Sequence, residues 1–148
     1  MGVTAAKAGR SETAPLRSMA MPLTAHVAVD HGFAVAALWP SFMRYTLGQR
    51  RRLPALARFK RYALLGRQVF GVHETDDEVA AETTSYRFTN WLSGMGMPTS
   101  LAQLDIGPID GAALAQQAVE VWGNGRRLPS GLTAEDIEHI YDGASRPG

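Results

Sequence analysis

Apolar residues recur at helical spacing along most of the chain, and no segment alternates apolar and polar residues as a half-buried strand would. The clearest case is the segment from Ala55 to Phe70. Leu56, Phe59 and Ala63 recur on one face there, and basic side chains occupy the others. This pattern predicts one amphipathic helix that Gly71 ends, within an all-α helical bundle.

Further helices are predicted from residues that cap a helix start. An Asp or Thr side chain at that position accepts a hydrogen bond from a backbone N–H of the first turn. We predict a buried helix over 30–46, one that stops at Gly94, one that ends near Trp122 and one that ends near Asp142. Their predicted caps are Asp30, Thr75 or Asp76, Asp110, and Thr133 in a capping box with Asp136.

Two prolines fall inside predicted helices. Pro22 lies within a possible helix over 16–26, and Pro40 lies within the helix over 30–46. Proline lacks the backbone N–H and its ring clashes with the preceding turn, so we expect a break or kink at each. Residues 1–16 are small and polar and are expected to be poorly ordered, which leaves 17–148 as the helical domain.

Composition narrows the possible chemistry. The 148 residues suffice for one domain, and the absence of cysteine excludes disulfides, thiolate metal sites and cysteine nucleophiles. No serine has an adjacent base or the turn expected of a hydrolase nucleophile. No apolar run approaches the roughly 20 residues that cross a bilayer, and the amino terminus lacks the apolar segment of a secretion signal. We therefore expect a cytoplasmic protein with no membrane contact.

The formal net charge of +1 conceals an asymmetry between two parts of the chain. No acidic residue occurs from His31 to His73, whereas twelve acidic and four basic residues follow from Glu74 onwards. This favours two parts that pack together and compensate each other, with a nucleic-acid partner as the less favoured alternative. The basic residues of the first part are Arg44, Arg50, Arg51, Arg52, Arg58, Lys60, Arg61 and Arg67.

Ordered motifs over residues 17–143 resemble the iron-containing alcohol dehydrogenase family, in its butanol dehydrogenase and aldehyde reductase branch. The first is Asp30-His31-Gly32 with the apolar run to Trp39-Pro40. The others are Arg61-Tyr62-Ala63, Val69-Phe70-Gly71-Val72, Trp91-Leu92 through Met97-Pro98-Thr99-Ser100-Leu101, and Leu132-Thr133-Ala134-Glu135-Asp136-Ile137 with Ile140-Tyr141. The resemblance implies the family's carboxy-terminal helical, metal-binding domain.

The resemblance also implies a reaction and its cofactors. In that family a divalent metal, iron or zinc, polarises an alcohol or aldehyde oxygen while hydride passes to or from NAD(P). His31 corresponds to one of the family's metal ligands. Arg17 stands where the family has another ligand, and Met21 stands where it has a histidine near the nicotinamide. A guanidinium has no lone pair to donate, so Arg17 cannot bind a metal.

The family's nucleotide-binding half and its earlier ligand-bearing helix are not recognisable in this sequence. We therefore expect a truncated member that is inactive as an isolated chain and binds neither metal nor NAD(P) alone. A separate nucleotide-binding half or a homo-oligomer is the expected partner. The alternative is a non-catalytic helical interaction module. We do not expect metal ligation by the other histidines, His26, His73 and His139, the last two because they lie at predicted helix borders.

Overall fold

A computed structural model describes residues 15–146 of the chain. Within that range every regular element is a helix, and an isolated bridge between Arg127 and Thr133 is the nearest approach to a strand. The all-α prediction is confirmed. Of the segment 1–16 that we expected to be poorly ordered, residues 1–14 lie outside the described residues, and 15 and 16 belong to the first helix.

Seven α-helices and one 3₁₀ helix follow one another through the described residues. None of these helices is long and apolar enough to cross a membrane. Their bounds are α1 15–26, α2 His31–Gly48, α3 Pro54–Ala57, α4 Phe59–Val69, α5 Asp77–Gly94, the 3₁₀ helix Leu101–Leu104, α6 Gly111–Trp122 and α7 Ala134–Ser145.

The predicted helix starts are confirmed. The Asp30 carboxylate accepts from the Gly32 N–H at 2.8 Å, and Asp76 and Asp110 cap α5 and α6 in the same way. Asp76 is the cap rather than Thr75. Thr133 and Asp136 form the reciprocal capping box at α7. Caps are predictable because the residues that form them are close in sequence.

The prolines do not interrupt their helices. α1 continues through Pro22 and α2 continues through Pro40, so a break at each position is wrong, and a kink stays a prediction. A proline inside a helix costs about 3 kcal/mol through its lost hydrogen bond and ring clash. Both prolines are buried, and ten residues of α2 pack into the interior. The burial of that many side chains outweighs the cost at one position.

The single helix predicted over 55–70 is also wrong, because the structure divides it. α3 ends at Ala57 and α4 begins at Phe59, while Arg58 between them adopts a left-handed conformation with φ of 43°. Such a φ is uncommon outside glycine and interrupts the helical hydrogen bonds. Leu53 and Leu56 on the α3 side reach the main core, whereas Ala63 of α4 packs in a separate cluster.

The main core lies among α1, α2, α6 and α7. Its largest fully buried side chains include Leu23, Leu38 and Ile140. Two buried hydrogen bonds tie the helices together across long sequence separations. The Ser41 hydroxyl donates to the Ile140 carbonyl at 2.7 Å, and the Tyr141 hydroxyl donates to the Met19 carbonyl at 2.5 Å. Burial raises the pKa of Tyr141, which keeps its hydroxyl protonated as the donor.

α4 and α5 form a second, smaller packing unit, which we call the α4–α5 pair (Phe59–Val69 and Asp77–Gly94). Gly66 meets Thr84, and Phe70 just beyond α4 meets Trp91 further along α5, so the helices run in the same direction. A Cβ on Gly66 would lie 1.9 Å from Thr84 Oγ1. The absence of a side chain at Gly66 is therefore what allows this close approach.

Candidate functional site

His31, the metal ligand that the resemblance implies, is the first residue of α2 and is exposed. Asp30 before it uses its carboxylate to cap the helix, through the Gly32 N–H. Among residues 15–146 the His31 ring has no hydrogen bond, ion pair or ring contact. The local sequence therefore sets the helix start and leaves the imidazole facing outwards.

Arg17 and Met21 lie one helical turn apart on α1, and both are exposed. They present a guanidinium and a thioether on the surface of this helix. Neither group suits the site that the family uses. A guanidinium is a cation without a lone pair, and a thioether is a soft ligand that iron(II) and zinc rarely take in enzymes.

His26, the nearest other histidine in sequence, contacts a different helix. Its Nε2 lies 3.2 Å from Oε1 of Gln117, so it connects the end of α1 to α6. His73 is exposed in the link before α5. His139 lies within α7 rather than at its border, with its ring stacked on Tyr45 at a centroid distance of 5.9 Å. The structure therefore does not bring a second histidine to His31.

The donor set at His31 does not fit a catalytic metal. Within residues 15–146 no group of three or more His, Cys, Asp and Glu side chains is arranged to hold a metal ion. Catalytic zinc and non-haem iron sites use three or four protein ligands and keep one position open. His31 supplies one ligand, and Arg17, at the position of another family ligand, supplies none. These residues therefore cannot hold a catalytic metal by themselves.

Among residues 15–146, the carboxylate whose pKa departs most from its ordinary value is that of Asp136, at the start of α7. Asp136 is 3% exposed, accepts from Tyr45 Oη at 2.6 Å and from both terminal nitrogens of Arg52, and closes the Thr133 capping box. Burial disfavours its charge, but the hydrogen bonds from Arg52, Tyr45 and Thr133 outweigh burial and lower its pKa to about 2. Burial and the Asp136 hydrogen bond raise the pKa of Tyr45 to about 12.

This Asp136 cluster is structural rather than catalytic. A perturbed carboxylate in a cleft is a candidate acid or base, but the Asp136 carboxylate already accepts from four donor groups and stays ionised. Sequence reasoning predicted its role in the capping box and missed Arg52 and Tyr45. Those partners lie 84 and 91 residues away in sequence, so no local pattern could indicate them.

Ion pairs between the two parts of the chain confirm the predicted charge compensation. Arg50 pairs with Glu78 at 2.9 Å and Arg67 with Asp77 at 2.7 Å. Arg52 pairs with Asp136. At least three of the eight basic side chains of the first part therefore face carboxylates of the second. Arg44, Arg51 and Lys60 remain exposed.

Comparison with known proteins assigns the chain to a family. The carboxy-terminal model of the Fe-containing alcohol dehydrogenase family matches residues 6–145, nearly the whole sequence. A search of curated proteins found no match. The family match agrees with the all-helical architecture. The chain belongs to the Fe-containing alcohol dehydrogenase family and contains its C-terminal domain.

Proposed function

We propose that this chain is the helical half of a metal-dependent, NAD(P)-linked oxidoreductase that interconverts alcohols and aldehydes, and that it is inactive as an isolated chain. The family match over residues 6–145 supports the first part. The observation that carries the second is the donor set at His31, because this exposed imidazole belongs to no group of three or more metal-binding side chains within residues 15–146. Activity then requires a nucleotide-binding half that also supplies ligands.

The motifs quoted from Val69 to Leu101 support assignment to the butanol dehydrogenase and aldehyde reductase branch. In that branch the substrates would be short alcohols and aldehydes. The part that binds NAD(P) would come from another chain or segment, and a homo-oligomer is the other assembly to be considered. His31 would serve as one metal ligand only in such an assembly, because coordination needs at least two more donors around it.

A turnover assay tests this proposal. The pure chain is incubated with butanal, NADH or NADPH, and either Fe²⁺ or Zn²⁺, and nicotinamide absorbance is followed. We expect no reduction above the metal-only background. His31→Ala is the test variant, and His73→Ala, which removes another exposed histidine, is the matched control. Butanal reduction that is lost in His31→Ala and kept in His73→Ala would contradict the proposal.

A non-catalytic interaction module is the second candidate, and exposed side chains of the α4–α5 pair favour it. Tyr86 is 70% exposed, Val69 63% and Trp91 48%. Large apolar side chains gathered on one surface often mark a binding surface. A complementation experiment distinguishes the two candidate functions. Adding the nucleotide-binding half of a butanol dehydrogenase should restore turnover if the chain is an enzyme half, and should have no effect if it is only a module.

Nucleic-acid binding is the weakest candidate. Three basic side chains already pair with carboxylates of the same chain, which lowers the charge left for phosphates. We expect weak binding to duplex DNA that disappears near physiological salt. Few phosphate contacts release few counterions, so the affinity is low even before salt weakens it further. Fluorescence anisotropy against salt measures this. Sequence-selective binding that survives at physiological salt would revive the candidate.

A further inference from the structure

A groove of about 720 Å³ lies where the end of α4 meets the second half of α5. It is far along the chain from His31, and none of the residues that the resemblance assigns to metal binding lines it. The lining residues are Val69, Phe70, Thr83, Tyr86, Arg87, Asn90 and Trp91. The groove is widely open to solvent, and its lining combines apolar walls with a few polar groups, as small-molecule sites do.

One wall of the groove is aromatic and held in place. Phe70 and Trp91 meet edge to face with ring centroids 6.3 Å apart. Trp91 also contacts Phe88 at 6.0 Å, and Phe88 contacts Trp39 of α2 at 5.2 Å. The chain of four rings anchors this wall to the main body. Trp91 is nevertheless 48% exposed, so part of its ring is available to stack against a flat ligand.

Arg87 is the one charged residue among those that line the groove, and the Glu74 carboxylate lies at its margin. Arg87 Nη1 donates to the Phe70 carbonyl at 3.0 Å, which orients the guanidinium beside the aromatic wall. Among residues 15–146 Arg87 makes no ion pair, and no carboxylate lines the groove. Glu74 lies near enough to interact electrostatically with Arg87, but its own oxygens accept from Thr83 Oγ1 and the His73 N–H. The remaining Arg87 donors are free to bind an anion.

We propose that this groove binds a small aromatic carboxylate, with its ring against Trp91 and Tyr86 and its carboxylate on Arg87. The Asn90 side-chain amide, which also lines the groove, can donate a further hydrogen bond to the ligand carboxylate. A neutral ring would keep the stacking and lose the charge-assisted hydrogen bonds. A non-aromatic acid would keep the charge and lose the stacking. The site thus requires both features in one ligand.

The test uses the full, isotope-labelled chain and three probes. Naphthoate is the aromatic acid, naphthamide is its neutral counterpart, and cyclohexanecarboxylate is the acid without an aromatic ring. Binding is followed by NMR shifts of the Trp91 indole N–H and the Asn90 side-chain amide. We expect naphthoate to bind about tenfold more tightly than either other probe, since one charge-assisted hydrogen bond is worth about 1.5 kcal/mol.

Variants assign the effect to the groove. Arg87→Gln should weaken naphthoate about tenfold and leave naphthamide within about twofold, while Arg87→Lys should restore part of the loss. Trp91→Ala should weaken both aromatic probes. Trp122→Ala removes another exposed tryptophan, on α6, and should change neither. Circular dichroism confirms that each variant is folded.

Three results would overturn the proposal. The first is equal affinity for naphthoate and naphthamide. The second is shifts centred on other exposed apolar residues such as Val121 and Trp122, which would indicate nonspecific contact. The third is no shift at Trp91 or Asn90 up to about 10 mM probe, which corresponds to less than about 3 kcal/mol of binding free energy. None of these depends on whether the chain is half of an oxidoreductase.

Discussion

The main core and the α4–α5 pair belong to one chain but are built differently. The main core joins α1, α2, α6 and α7 through fully buried side chains, and it satisfies the buried charge of Asp136 with Arg52 and Tyr45. The α4–α5 pair has a small cluster of Ala63, Val72 and Ala80 and leaves large apolar side chains exposed. The first region therefore contains most of the buried apolar side chains that stabilise the fold.

Leucine-to-alanine substitutions should show the largest difference in stability between the two regions. Leu38 of α2 is fully buried, whereas Leu64 of α4 is 54% exposed. We expect Leu38→Ala to lower the free energy of unfolding by about 3 to 4 kcal/mol, because it removes buried surface and leaves a cavity. Leu64→Ala should change it by less than about 0.5 kcal/mol. Urea denaturation measures both, and similar losses would show that Leu64 is buried in solution.

Removal of a carboxylate charge should show the next largest difference in stability between the two regions. Asp136→Asn should cost about 2 to 3 kcal/mol, because it weakens charge-assisted hydrogen bonds to Arg52 and Tyr45 at a buried position. Asp77→Asn, at the more exposed pair with Arg67, should cost less than about 1 kcal/mol. Thermal denaturation of both variants gives the comparison, and an equal cost would contradict it.

The Asp136 contribution should also depend on pH. Its pKa is lowered to about 2 in the folded chain, from about 3.9 in an unfolded chain. A lowered carboxyl pKa stabilises the folded state above the unfolded value, and that stability is lost as pH falls through the folded value. The difference between the wild-type chain and Asp136→Asn should therefore be constant above about pH 5 and shrink from about pH 4 to 2. A difference that persists at pH 2 would contradict this.

Substitution of glycines should give the smallest effect of the series. Gly66→Ala should cost about 1 to 2 kcal/mol, because its Cβ would lie 1.9 Å from Thr84 Oγ1 and force the α4–α5 pair apart. Gly48→Ala at the end of α2 is the matched control, since a Cβ there meets nothing within 4 Å. That substitution should be neutral or slightly stabilising. Thr84→Ala should restore part of the Gly66→Ala loss, and its failure to do so would place the clash elsewhere.

These comparisons show which features the sequence could predict. Helix starts at Asp30, Asp76 and Asp110 were predictable because a cap and its helix are adjacent in the chain. The break at Arg58 and the continuity of α2 through Pro40 were not, since both depend on which core each segment joins. Local propensity is a weak guide where burial across the fold outweighs it.

The candidate sites divide in the same way. His31 and Arg17 were identified from motifs, and the structure adds that both are exposed. The groove at Arg87 had no signal in the sequence. It forms because Phe70, beyond the end of α4, meets Trp91 on α5, and because Gly66 allows the two helices to approach. Spacing along one helix could not reveal a site that two helices share.

Metal stoichiometry of the pure chain tests the central claim most directly. The chain is loaded with Fe²⁺ or Zn²⁺, desalted, and analysed by elemental mass spectrometry beside His31→Ala. One exposed imidazole without further ligands should not retain a metal ion, because a stable site needs at least three donors. We therefore predict far less than one metal ion per chain, with no difference between the two proteins. One tightly held ion per chain that His31→Ala abolishes would show that His31 belongs to a complete site and would contradict the account.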